Sequence, residues 1–117
     1  MKKYFALCLL VLLVLCVPAG GASLGELNTL ASAKIYLSNM AFSYKGLVTQ
    51  LEFEGYSHSE AEYAVKNCGA DWNEQAAKKA KEYLDMMPMS RSGLIQQLVF
   101  EGFTKQQASY GVKQAGY

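Results

Sequence analysis

Few residues in this 117-residue chain have a type suited to chemistry, and none of them stands with the partner that chemistry would need. His58 is the single histidine. A general base or a metal ligand requires an arranged neighbour, whereas His58 follows Ser57 at a predicted helix start and reads as a solvated first-turn residue. Gly21-Ala22-Ser23-Leu24-Gly25 spells the letters of a nucleophile elbow. That elbow needs a strand before it and a helix after it, and here an apolar leader precedes it. Cys68 has no basic neighbour to favour the thiolate. Paired cysteines, paired histidines and a phosphate-cradling glycine loop are all missing from the sequence. The chain therefore reads as a non-enzyme with no metal and no cofactor.

The elements that would position any function begin with an export segment. Lys2 and Lys3 precede 14 uncharged, Leu- and Val-rich residues from Tyr4 to Val17, and small residues follow in Pro18-Ala19-Gly20-Gly21-Ala22. Basic, then apolar, then small is the layout of a secretory signal. A permanent span needs roughly 20 apolar residues, so processing is favoured over a transmembrane helix. Two ends are open. Gly20 and Ala22 place small residues at −3 and −1 for cleavage before Ser23. Alternatively, Leu13-Val14-Leu15-Cys16 has the shape of a lipobox, with Cys16 as the lipidated first residue, although Leu15 stands where such boxes carry a small one. Residues 1–22 are thus read as a signal peptide or lipoprotein anchor. The protein is expected outside the cytoplasm, held at the membrane or released.

The strongest signal is internal. Shifting the chain by 47 residues lays Ala33–Ala70 over Ala80–Tyr117 without a gap, and 18 of the 38 pairs are identical. Two copies follow, 23–70 and 71–117. Each reads as three helices. Ala33, Tyr36, Leu37 and Met40, repeated as Ala80, Tyr83, Leu84 and Met87, have the spacing of one helical face. Ser43 and Ser90 are N-caps in front of the buried stripes Leu47, Val48, Leu51 and Leu94, Ile95, Leu98. Gly55 and Gly102 close the second helix. Ser57 with Glu60 and Thr104 with Gln107 open the third with capping-box spacing. Small residues then form the third helix's inner stripe: Ala61, Ala64, Val65, Cys68 and Ala108, Gly111, Val112, Ala115. Such a stripe lets helices approach closely, and Cys68 packs where Ala115 does. The fold class is all-α, two tandem three-helix, helix-turn-helix-like repeats.

Asp71 and Glu74 have capping-box spacing for the second copy, and no flexible tract separates the copies. Trp72 aligns with Gly25, so the duplication does not explain it; it is expected to be buried in the joint between the repeats. A unit of about 40 residues scarcely holds a core by itself, and a shared surface is expected.

Tyr63 lies about 200° around the third helix from Ala61, away from the small-residue stripe, and Tyr110 stands likewise to Ala108. Lys66 and Lys113 follow on the same side. Outward-pointing, these four would present a repeated Tyr beside a Lys, a pairing suited to protein interfaces. The alternative is that each ring packs against its own first helix, near Tyr36 or Tyr83.

The helix-turn-helix shape raises nucleic acid as a partner. Charge opposes it. Two of the eleven Lys and Arg are Lys2 and Lys3, leaving nine against ten Asp and Glu, a net of −1, and phosphate backbones are gripped by clustered cations.

The shared pattern, above all Gln50-Leu51-Glu52-Phe53-Glu54-Gly55-Tyr56-Ser57 and Gln97-Leu98-Val99-Phe100-Glu101-Gly102-Phe103-Thr104, resembles the Ltp-like family of host cell surface-exposed lipoproteins across both repeats. The resemblance implies tandem helix-turn-helix modules outside the cytoplasmic membrane. It further implies binding of a phage or envelope protein, with blocked delivery of a second phage's DNA as the most specific version. An envelope or adhesion component with no antiviral role is the alternative.

Overall fold

The computed structural model describes residues 21–117 as six helices: α1 Leu24–Asn39, α2 Tyr44–Phe53, α3 His58–Asn67, α4 Trp72–Met86, α5 Arg91–Phe100 and α6 Lys105–Gln114. Among the described residues there is no strand, as the two tandem three-helix repeats require. Residues 1–20 of the signal segment, Cys16 among them, lie outside the described residues. No described helix is long and apolar enough to cross a membrane.

Capping chemistry sets most boundaries. The hydroxyls of Ser43 and Ser90 accept from the backbone N–H of Gly46 and Gly93. Ser57 with Glu60 and Thr104 with Gln107 form reciprocal boxes in which each end satisfies the other's free amide. The turn between second and third helix is the same in both copies. Gly55 (φ 105°) and Gly102 (φ 108°) take a left-handed conformation that a Cβ would strain. The next amides, of Tyr56 and Phe103, then reach back to the carbonyls of Leu51 and Leu98.

Two local expectations are corrected. Met40 and Met87 are not part of the first-helix stripe: each is an extended C-cap residue, about half exposed, where the helix has already ended. Asp71 caps α4 by accepting from the amides of Asn73 and Glu74, without the return bond from Glu74 that a full box needs. The carboxylate holds both amides, so the cap works with one arm. The box that does form upstream joins Ser23 to Glu26.

Each repeat has its own core. Ala33, Leu47, Val48, Leu51, Ala61, Ala64 and Val65 fill the first, and Ala76, Ala80, Leu94, Leu98, Phe103, Ala108 and Val112 the second. First and third helices pack most closely, through the small-residue stripes. A Cβ added to Gly111 would lie 2.6 Å from the carbonyl carbon of Ala76, so α6 and α4 touch backbone to backbone there.

The copies meet end to end. The Ser43 hydroxyl, capping α2, also donates to the Glu101 carbonyl at the end of α5 (2.7 Å). The Phe42 amide donates to the buried Gln75 side chain of α4 (2.9 Å). Trp72 meets Tyr44 edge-on at 5.4 Å and packs against the first repeat's core. It fills the joint as expected, but it is half-buried rather than buried.

Candidate protein-binding surface

The joint creates a surface that neither repeat has alone. Because α5 ends where α2 begins, the outer face of α2 continues from the end of α5. A groove of about 590 Å³ runs there, lined by Lys45, Thr49, Gln50 and Phe53 of α2 and by Phe100 and Glu101 at the end of α5. Lys45, Thr49 and Phe53 recur at i, i+4 and i+8, which puts them on one side of the helix. Phe53 is 85% exposed and Phe100 84%. The α2 residues that line it run from Lys45 to Phe53, about 12 Å along the helix axis. Single exposed apolar residues are ordinary, but two phenylalanines on one groove are a candidate contact patch.

Residues at matching positions hold the groove's polar side. Gln97 donates to the Tyr83 hydroxyl (3.1 Å) and to Glu101 (3.2 Å), and the Tyr83 hydroxyl bonds the same carboxylate. Burial raises the Glu101 carboxyl above the ordinary range, with Lys79, 3.8 Å away, pulling in the opposite direction. In the first copy Gln50 donates to the Tyr36 hydroxyl (3.3 Å), and the hydroxyl's pKa is raised first by its hydrogen bond with Glu54. This Tyr–Gln–Glu set ties the first helix to the end of the second in both repeats. It fixes the backbone from which each phenylalanine projects.

His58 is not an isolated first-turn residue, although it is exposed as expected. Its Nδ1 pairs with Glu52 at the end of α2, and its Nε2 lies 3.9 Å from Glu62. The Tyr44 hydroxyl donates to Glu62 (2.7 Å), and burial, before that bond, pushes it up to about 12. The bond to Glu52 raises the His58 pKa. In the second copy the matching positions are Val99, Lys105 and Ser109, so the cluster belongs to the first repeat alone. Among the described residues no group of three or more His, Cys, Asp or Glu could hold a metal ion. The cluster instead makes stability depend on pH. A raised imidazole pKa contributes fully below the ordinary value of about 6.5 and is lost as pH rises through the folded value. The gap in melting temperature between wild type and Glu52→Gln should therefore be widest near about pH 6 and close by about pH 9. A gap independent of pH would remove the ion pair from the account.

The four residues proposed from the sequence sit on the third helices. Lys66 and Lys113 are exposed, Tyr63 is half-buried and Tyr110 is 38% exposed. The Tyr110 hydroxyl reaches Glu74 in the first turn of α4 at 3.5 Å, far along that helix from Tyr83. Position 27, which matches Glu74, is leucine, so Tyr63 has no equivalent acceptor there. Nothing in the structure brings these four together with the Phe53–Phe100 groove.

The phenylalanines were not singled out from the sequence, though the signal was present. Each is identical in the two copies, and each lies two residues, about 200°, beyond the last buried leucine of its helix. Retention of a large apolar residue on the outer side of a duplicated helix is not explained by packing.

Comparison with known proteins agrees with this architecture. The chain aligns, with a TM-score of 0.75 and 38% identity over 79% of its length and 96% of the other chain, with the structure of Ltp, a superinfection exclusion protein from the Streptococcus thermophilus temperate phage TP-J34. No curated protein matches it. Residues 26–68 and 71–114 each match the family described as host cell surface-exposed lipoprotein. The chain belongs to that family.

Proposed function

We propose that this protein is a surface-tethered capture module that blocks delivery of a superinfecting phage's DNA by binding a protein segment of the incoming phage in the Phe53–Phe100 groove. The observation that carries this reading is the pair of phenylalanines, the same residue in each repeat and almost fully exposed, brought to the two ends of one groove. Likeness to a superinfection exclusion protein supplies the biological setting. The tether is the N-terminal segment, through its apolar run or a lipid on Cys16. The activity is binding alone. The contact is with protein rather than nucleic acid, because the groove offers one lysine, Lys45, beside Glu101 and two aromatic rings.

An apolar anchor inserted at each end would make the phenylalanines hot spots, each costing about 2 kcal/mol on truncation. Phe53→Ser with Phe100→Ser is therefore expected to weaken binding by close to a thousandfold, about 4 kcal/mol, and to abolish exclusion in a phage challenge. The melting temperature should stay near wild type, since both rings are exposed. Full exclusion by this double variant would overturn the groove. Tyr63→Ala with Tyr110→Ala provides the contrast. If exclusion is lost there without unfolding, while the phenylalanine variant still excludes phage, the binding surface is the third-helix face with Lys66 and Lys113.

A further inference from the structure

Helix α1 is apolar on two sides, and only one of them is used by the core. Thr29, Ala33, Tyr36 and Leu37 turn inward. On the opposite side Leu24 (75% exposed), Leu27 (46%), Ala31 and Ile35 (64%) form a stripe unpartnered among the described residues, with the i, i+3, i+7, i+11 spacing of a single helical face. The residues that flank it are Asn28, Lys34 and Ser38, all exposed, and none is acidic. The second repeat carries the opposite chemistry at the matching positions. There the stripe reads Asp71, Glu74, Lys78 and Glu82, with Lys81 and Asp85 beside it. One scaffold thus has an apolar outer face in the first copy and a charged, water-facing one in the second. Helix packing does not account for the difference, because the inner faces of α1 and α4 do the same work.

Position in the chain identifies what covers the apolar face. Leu24 is eight residues from Cys16 and seven from the end of the apolar run at Val17. Even fully extended, eight residues reach only about 28 Å, so either tether holds the start of α1 within that distance of the bilayer. We propose that the outer face of α1, through Leu24, Leu27, Ala31 and Ile35, lies in the interfacial layer of the membrane, with Lys34 among anionic headgroups. A helix lying in that layer buries an apolar side, keeps its polar side in water and gains from nearby cations. The proposal rests on the tether named in the preceding reading. It makes the first repeat a foot and leaves the second repeat, with its charged α4, projecting away. The orientation of the Phe53–Phe100 groove relative to the membrane is then fixed by the fold rather than by a flexible stalk.

The test uses the full chain in phosphatidylglycerol–phosphatidylcholine vesicles whose acyl chains carry bromine, a short-range quencher of tryptophan. With Trp72→Phe as background, one reporter is placed by Ile35→Trp and its counterpart by Glu82→Trp. Thermal melts establish that both variants are folded. Strong quenching at position 35 with little at position 82, weakened when Leu24→Ser and Leu27→Ser are added, is the expected result. Co-sedimentation with vesicles but equal, weak quenching at both positions overturns the α1 face while leaving the tether intact. A dimer-sized species on cross-linking, with position 35 shielded from lipid, assigns the face to a second copy and overturns the proposal. Failure to co-sediment removes the tether and the proposal with it.

Discussion

Leu98→Ala is expected to lower stability by about 2–5 kcal/mol, the cost of removing a fully buried leucine and leaving a cavity behind. Leu98 has no accessible surface and sits among Ala76, Ala80, Leu94, Phe103, Ala108 and Val112. A small domain holds only about 5–15 kcal/mol in total, so the loss is a large share. The route by which it spreads is specific. The end of α5 supplies the Glu101 carbonyl to Ser43 of the first repeat, and α4 supplies Gln75 to Phe42. Disorder in the second repeat therefore removes partners from the first. Trp72, the only tryptophan, reports this because it belongs to α4 yet packs against the first repeat's core. In thermal melts of Leu98→Ala, Trp72 fluorescence and far-ultraviolet circular dichroism should fall together, at one lowered midpoint. Leu51→Ala should behave the same way from the other side. Two separated steps in the circular dichroism, the later one at the wild-type midpoint, would mean that the repeats melt independently and that the joint contributes nothing to stability.

Gly111→Ala is expected to destabilise, against the trend for glycine in a helix. Replacing a mid-helix glycine by alanine ordinarily gains up to about 1 kcal/mol. Here the new methyl would stand 2.6 Å from the Ala76 carbonyl carbon and 2.7 Å from its oxygen. Backbone cannot rotate away as a side-chain tip can, so α4 and α6 must move apart and loosen the contacts of Ala76, Ala108 and Val112. Overpacking of this kind costs about 1–3 kcal/mol, which outweighs the propensity gain. For a domain of this size each kcal/mol moves the midpoint by about 4–8 °C, within easy reach of calorimetry. The first repeat has Ala64 at the matching position and Thr29 where the second has Ala76. The two copies thus use different small-residue pairs for the same crossing. A higher melting temperature for Gly111→Ala would show that the close approach is not a constraint.

The functional picture is one of division between the copies. Their cores and Tyr–Gln–Glu ties are nearly the same, but their outer faces are not. The first repeat carries the apolar side of α1 and the His58–Glu52–Glu62 cluster, while the second carries the charged side of α4. Duplication supplied the same three-helix unit twice. Divergence of exposed positions then gave each copy its own surroundings, at little cost to folding, because exposed substitutions seldom change stability much.

What the sequence determined by itself was the local architecture. The period of apolar residues placed the helices, and the capping pairs at Ser57–Glu60 and Thr104–Gln107 started the third helix of each copy. Gly55 and Gly102 ended the second, and the shift of 47 residues revealed the repeat. Each of these signals acts within about one helical turn, or by identity between copies, so each can be read without knowing how the chain folds back. The finer points that failed were also local. Met40 and Met87 continued the apolar period past the helix ends, and periodicity alone does not register that the backbone has turned extended. Only the tertiary structure decided how the copies meet: the Ser43 hydroxyl on the Glu101 carbonyl, the Phe42 amide on Gln75, and Trp72 against Tyr44. That junction sets two phenylalanines, 47 residues apart in sequence, at the ends of one groove. Its geometry depends on where the end of one helix meets the start of another, a relation between distant segments that neither periodicity nor capping encodes.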